Sequence, residues 1–266
     1  MTSDDSKENL SKFYDRVKST LIERTSEPVI MLEPNDKEPG IFDTKIGGIP
    51  YFPKNMSYPN SPSSNSPMAL LCQLNFDTLP KLPGFPQNGM LQFFISDEEL
   101  YGANFESPEK QDTWRVIYHP TIDPDPANQT TLNIPEVPQE APFDKSFCFT
   151  AELRTEPIRY HDFRFQDILH ELFADDAEAE GISFDEITDH LYDDGPPQCC
   201  RIGGYPTFTQ DDPRYDTFAS HTKLLLELET CKGMMWGDSG VANFFIRPDD
   251  LERLDFSNVV YSWDCC

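Results

Sequence analysis

Residues 224–230 read LLLELET, residues 231–240 CKGMMWGDSG and residues 241–254 VANFFIRPDDLERL, and the chain carries this stretch twice. The earlier version, Leu70 to Leu100, reads LLCQLNF, DTLPKLPGFPQNG and MLQFFISDEEL. Gly240 to Ile246 lies over Gly89 to Ile95, and the charged turns Asp249-Asp250-Leu251 and Glu98-Glu99-Leu100 fall in step. Upstream, Ile46-Gly47-Gly48-Ile49-Pro50 is echoed by Ile202-Gly203-Gly204-Tyr205-Pro206, and downstream Val116-Ile117-Tyr118 by Val259-Val260-Tyr261. The offset drifts from 156 residues at the Gly-Gly blocks to 154 at Leu224, 151 at Gly240 and 143 at Val259. Four blocks in one order with slowly drifting offsets predict an internal duplication, each unit of ordinary domain size.

Composition bounds the function classes. The 266 residues suffice for a real core, and 20 Phe with 10 Tyr supply large apolar surfaces to fill it. The 24 prolines argue for loops and short elements over a helical bundle. A net charge of −26, with only 21 Lys and Arg, speaks against nucleic acid and against anionic membranes, since both need cationic side chains on their phosphates. It leaves a basic partner protein open. The first residues hold no apolar run of signal-peptide type, and no stretch of about 18 apolar residues occurs, so a cytoplasmic location without membrane spans is expected. Seven cysteines with no C-x-x-C pattern do not suggest a thiolate zinc site.

Ser3 to Arg24 repeats apolar residues at three and four positions (Leu10, Phe13, Tyr14, Val17, Leu21, Ile22), which predicts an amphipathic helix. Val29 to Leu32 reads as a strand, residues 54–67 as an exposed loop, and Met68 to Phe76 with Leu91 to Ser96 as a buried antiparallel pair. Trp114 to His119 is a further strand. Residues 121–144, rich in Pro, Asp and Asn, read as a connecting loop between residues 1–120 (the N-terminal helix and first β-rich copy) and residues 145–266 (a helical acidic insert and the second copy). In the second copy, Phe147 to Leu153 is strand-like and Phe163 to Phe173 carries a helical stripe. Ser183-x-x-Glu186 has the form of a capping box. The fold class predicted is α+β: internally duplicated antiparallel β-sheet units with flanking helices, related by a pseudo-two-fold and packed as one compact unit.

Residues 161–200 hold 12 Asp and Glu against a single Arg164. Within them Asp176, Glu178 and Glu180 alternate ahead of Gly181, as in a calcium loop, but the twelfth position is Ile187 and Glu186 stands one residue off. These four residues form a weak calcium candidate, and no metal site is expected. Gly237-Asp238-Ser239-Gly240 has the form of a serine-protease nucleophile segment, but no His and Asp context accompanies it. A hairpin turn with Gly237 and Gly240 at positive φ is the plainer reading. The five histidines show no metal-ligand spacing, and no phosphate-binding glycine motif occurs, so neither a cofactor nor a catalytic constellation is expected. One cluster rises above the rest. Trp236, Asp238, Ser239 and Asn243 crowd the second hairpin and could line a ligand-binding cleft between the halves.

Ile46 to Tyr51, Leu70 to Phe76, Gly89 to Ile95, Trp236 to Ile246 and the closing Val260-Tyr261-Ser262-Trp263-Asp264-Cys265 together resemble the YwqG-like family, over nearly the whole chain. The resemblance implies a bacterial-type cytosolic α+β protein of a family without an established activity, and it brings no catalytic residues with it. The leading expectation is a binding or interaction protein, of accessory or immunity type, whose acidic face meets a basic partner. The alternative is a small-molecule-binding protein or enzyme with a cleft between the halves.

Overall fold

The computed structural model describes residues 3–62, 64–131, 137–192 and 200–266. The capping and calcium-loop residues fall inside this set, whereas Cys199 and the end of the acidic insert, 193–199, lie outside it.

Among the described residues ten strands form one antiparallel sheet: β1 (Glu27–Asn35), β2 (Lys45–Ile46), β3 (Ala69–Asn75), β4 (Met90–Ile95), β5 (Trp114–His119), β6 (Phe147–Glu156), β7 (Cys200–Gly203), β8 (Lys223–Glu229), β9 (Val241–Ile246) and β10 (Val260–Asp264). Four α-helices accompany them among the described residues: α1 (Ser3–Thr25), α2 (Phe165–Glu180), α3 (Phe184–Tyr192) and α4 (Pro248–Glu252). The class is α+β. None of the described helices is long and apolar enough to cross a membrane.

The strand order is β10-β9-β8-β7-β1-β6-β2-β3-β4-β5. At its centre β1 pairs with β6 from Glu27↔Glu156 to Asn35↔Cys148. The two central strands are exchanged: β1 precedes the first half in sequence but lies beside β7, and β6 precedes the second half but lies beside β2. β3 and β8 each carry a register shift, between Leu70 and Cys72 and between Leu224 and Leu226.

Aromatic residues on one face curl the sheet. β4 and β9 are seven positions apart, which in a flat sheet would be roughly 34 Å at about 4.8 Å per strand. Yet the Phe93 and Phe244 rings lie 4.7 Å apart, and Trp114 of β5 lies 5.5 Å from Tyr261 of β10. Side chains from β3, β4, β5, β8, β9 and β10 therefore share one interior with Ile30 and Leu32 of β1. Each fully buried Phe there contributes about 1.5–3 kcal/mol. Polar links tie the two edge regions together: Tyr261 N donates to Pro108 O (3.0 Å) and Gln111 Nε2 to Phe256 O (2.6 Å). Such contacts cover part of the sheet's borders, which limits the open strand edge that invites aggregation.

The helices form a separate apolar layer. Phe13, Val17 and Leu21 of α1 pack with Phe165, Leu169, Phe173 and Ala177 of α2 and Ile187 of α3. Leu10 and Ile22 of the expected stripe stay exposed, because a narrower face suffices against two short helices. A buried ionic knot accompanies this layer. Arg214 pairs with Asp162 (3.0 Å) and Asp212 (2.6 Å), and its guanidinium lies 4.2 Å from the Phe245 ring centroid on β9. The capping box forms as expected: Glu186 N donates to Ser183 Oγ (3.2 Å) and Ser183 N to Glu186 Oε2 (2.8 Å).

The opposite face of the sheet is covered too, and polar side chains recur there at matching places. In the first half Gln73 Oε1 accepts from Tyr51 N (3.0 Å), and Gln92 Nε2 donates to Tyr51 O (2.7 Å). In the second, Glu227 Oε2 accepts from Thr207 N (2.5 Å) and Asn243 Nδ2 donates to Thr207 O (2.9 Å). Each set fastens the chain leaving a Gly-Gly turn onto its neighbouring strands. Those turns need glycine: Gly47 has φ +61 and a Cβ there would meet the Phe143 ring at 2.6 Å. Lys45 and Arg201 open the two sets, both fully covered.

The first set orients a histidine. Gln73 Nε2 donates to the Ile41 and Asp43 carbonyls (2.9 Å each), so its Oε1 faces Gln92 Nε2 (2.8 Å). Gln92 Oε1 is then left to accept from His119 Nε2 (2.9 Å), and burial lowers that imidazole to about 4. His119 is thus neutral, with its proton on Nε2.

The second set is charged. Arg201 pairs with Glu227 (2.7 Å), Glu156 (3.0 Å) and Glu229 (3.5 Å), and Glu156 is shared with Arg159 (2.7 Å). Three carboxylates face two guanidiniums. Burial, and then the neighbouring Glu227 charge, push Glu229 up to about 8, so it holds a proton at neutral pH. The folded state binds this proton more tightly than the unfolded chain, whose carboxyl titrates near 4.5. Its contribution to stability is complete below that value and is lost as pH rises through about 8. Urea unfolding followed from pH 5 to pH 9 should therefore show a falling midpoint, and Glu229→Gln should flatten that fall and leave the variant more stable than the parent at pH 9. An unchanged slope in the variant would remove Glu229 from the account.

Candidate functional site

The β8–β9 connection is built by short-range hydrogen bonds. Thr230 Oγ1 donates to Gly240 O (2.9 Å) and accepts from Trp236 N (3.0 Å), while Gly240 N donates to Trp236 O (2.7 Å). Cys231 and Met234 exchange backbone bonds of 3.0 and 2.9 Å. The turn differs from the sequence expectation in one respect: Gly237 (φ 50) and Ser239 (φ 80) take the left-handed conformations, and Gly240 does not. Gly240 is needed for proximity instead, because a Cβ there would sit 1.7 Å from the Asp264 carbonyl oxygen on β10.

This connection meets the first half across a cleft of about 590 Å3. Tyr101 lines one side, Cys231, Met234 and Met235 the other, and Pro138 and Phe143 of the interhalf connection close it off. That connection is stitched in place: Met235 N donates to Pro142 O (2.6 Å), Asp144 N to Gly233 O (3.1 Å), and Glu140 N to the Asp97 carboxylate (2.7 Å). Beside the cleft, Tyr101 packs on the buried Trp236 (5.5 Å) and on Trp263 (5.3 Å), and Trp263 on Phe105 (6.0 Å). Trp263 Nε1 donates to Leu100 O (3.0 Å). Met235, Phe105 and Leu100 are 57%, 53% and 46% exposed, an apolar rim left open to solvent. Acidic residues adjoin it in sequence: Asp97, Glu98 and Glu99 before Leu100, Glu106 after Phe105, and Asp238 after Gly237. Burial raises the carboxyls of Glu98 and Asp264 above their ordinary values.

The structure does not bring Trp236, Asp238, Ser239 and Asn243 together. Trp236 is fully buried beneath the cleft, in the core with Phe244. Asp238 and Ser239 are exposed on the turn. Asn243 precedes Phe244 on β9, so it points to the opposite face, where it holds Thr207. The calcium candidates are placed differently as well. Asp176, Glu178 and Glu180 lie within α2, a regular helix where a binding loop would be required, because the apolar stripe continues through Phe173 to Ala177. Asp176 pairs with Arg16 (3.2 Å) and Glu186 serves as the cap of α3. Among the described residues no group of three or more His, Cys, Asp or Glu side chains is arranged to hold a metal ion. A second cleft, of about 580 Å3 with His119, Tyr51 and Tyr118 in its wall, opens on the first half.

Gly240→Ala should be far more damaging than its surface suggests. The methyl group would force β10 away from β9, costing about 3 kcal/mol or more. Gly84→Ala, at φ +78 but with open space around it, should cost about 1 kcal/mol. Parallel urea titrations followed by tryptophan fluorescence would show the difference, and equal midpoints would contradict the close approach.

None of the curated proteins compared matches the chain. A family model described as a domain of unknown function, DUF1963, matches residues 44–265, from the strand before the first Gly-Gly turn to the end of β10. With most of its length covered by that model, the chain belongs to the DUF1963 family.

Proposed function

We propose that this protein is an interaction module whose interhalf cleft takes up an apolar side chain from a basic partner protein. The observation that carries this reading is the exposed Leu100, Phe105 and Met235 rim beside a cleft of about 590 Å3. Aromatic and Met side chains are the residues that anchor protein interfaces, and the acidic residues adjoining this rim select positive charge on the incoming segment. A net charge of −26 adds long-range attraction for the same partner. In this reading the protein is a cytoplasmic accessory or immunity-type factor, and within its family it groups with the YwqG-like proteins. The same reading treats the two halves as copies. It is supported by the order of the sheet, the register shifts 154 residues apart at Leu70 and Leu224, and the matching bonds on Tyr51 and Thr207.

The alternative, a small-molecule ligand or substrate in the cleft, is favoured by the cleft's volume, which falls within the ordinary range for such sites. The two readings separate with synthetic peptides. A lysine-rich peptide carrying one Leu or Phe should quench or shift the tryptophan fluorescence, and the same peptide with that residue replaced by Ser, or with Glu for Lys, should not. Phe105→Ala with Met235→Ala should weaken the binding about tenfold, some 1.4 kcal/mol, and 0.5 M salt should weaken it further. Peptide binding indifferent to both changes would overturn the interaction reading. A thermal shift from an uncharged metabolite, lost in the same double variant, would favour the alternative.

A further inference from the structure

The second cleft, of about 580 Å3, differs in chemistry from the one between the halves. Tyr51, Met56 and Tyr118 give its wall aromatic and apolar surface, and the charged residues there are Lys54 and Asp123, one of each sign. Set among them is His119, only 3% exposed. Two amides in series hold this ring in one state. Gln73 gives its amide protons to the Ile41 and Asp43 carbonyls, so Gln92 donates to Gln73 and must accept from His119 Nε2 (2.9 Å). The proton therefore sits on Nε2 and the lone pair on Nδ1. That lone pair bonds no group of the described residues, and Nδ1 is not among the unpaired polar atoms sealed from solvent. It is an acceptor left open in the wall of a cleft.

The second half shows what occupies the corresponding side chain there. The first residues of β4 and β9, Met90 and Val241, are paired with His119 of β5 and Asp264 of β10. Asp264 Oδ2 is taken up by the chain that follows Thr207, accepting from Thr209 N (3.0 Å) and Gln210 N (2.8 Å). The chain that follows Tyr51 makes no such demand on His119. Pro53 has no N–H, and Lys54 N donates to Asn128 O (2.9 Å). His119 is spared that duty and borders a cleft instead.

We propose that this cleft binds a neutral, planar aromatic molecule through a ring N–H or O–H donated to His119 Nδ1. Each part of the site selects one property of that ligand. The bare imidazole nitrogen accepts and cannot donate, so it rewards a donor and gives nothing to a plain hydrocarbon ring. Burial lowers the imidazole to about 4, which keeps Nδ1 unprotonated near neutral pH. Tyr51, Tyr118 and Met56 offer the flat and polarisable surfaces that aromatic rings pack against. Lys54 and Asp123 offset one another, so the wall calls for neither an anion nor a cation. The cleft's volume is ordinary for a small-molecule site. The assignment does not depend on what occupies the interhalf cleft.

The test uses the full-length protein and three probes, phenol, indole and uracil, each beside a methylated counterpart that lacks the donor: anisole, N-methylindole and N,N′-dimethyluracil. Saturation transfer measured by NMR should show binding of at least one probe, with its counterpart about tenfold weaker. In isotope-labelled protein the Nδ1 resonance of His119 should move upfield as that probe is added, the response of an acceptor nitrogen to a new hydrogen bond. Met56→Ala, at an exposed position, should weaken the probe several-fold. His119→Gln should abolish the preference for the probe over its counterpart, and if that variant fails to fold, Met56→Ala and the Nδ1 resonance decide. No binding by any of the three probes, equal binding of probe and counterpart, or an unmoved Nδ1 resonance at saturation would overturn the proposal. Binding lost in Phe105→Ala with Met235→Ala and kept in Met56→Ala would place the probe in the interhalf cleft, and would overturn it too.

Discussion

The pairing of β1 with β6 is the constraint on which the rest of this structure depends. Each of these strands belongs in sequence to one half and borders the opening strand of the other, so the sheet runs unbroken through its middle. That continuity lets the two outer hairpins curl toward each other, and the contact of Phe93 with Phe244 follows from it. The cleft is a product of the same curl. It lies where the loop after β4 and the turn after β8 come together, with residues 137–144 laid between them.

Burial on both faces sets the chemistry of the sheet. β3, β4 and β9 are buried along their whole length, so polar residues within them need partners from the protein itself. The first half meets this need with amides and a neutral histidine, and the second with guanidiniums, glutamates and an asparagine. The charged version is the costlier choice, since buried ions repay their desolvation only with complete pairing. Glu229 meets part of that cost by keeping its proton.

Much of this fold was legible in the sequence. The apolar runs at 68–76, 91–96, 224–229 and 241–246 are the strands of the two outer hairpins, and the stripes around Val17 and Leu169 are helices. The central exchange was not legible, because the run Val29 to Leu32 suits any buried strand and carries no mark of its partner. Residues 121–144 read as a connecting loop on their Pro, Asp and Asn, yet Phe143 is in the core, and residues 132–136 lie outside the described set. The turn singled out in the sequence does border a cleft, but the four side chains named there are not gathered in it. Trp236 belongs beneath it and Asn243 on the far face, since a strand's alternation cannot be read until its inner face is known. One signal was present and unused: Lys45 and Arg201 stand in the same place before the two Ile-Gly-Gly blocks, and Gln73 and Glu227 recur 154 residues apart.

The exchanged strands also set the order in which the chain can be made. Both neighbours of β1 lie far downstream of it, the nearer beginning at Phe147. At ordinary rates of synthesis the chain between them takes on the order of ten seconds to emerge. For that interval Val29 to Leu32 has no strand to pair with, while β2 to β5 can already form their hairpins. The nascent chain thus presents an apolar segment with open backbone groups on both sides before it becomes the middle of a sheet.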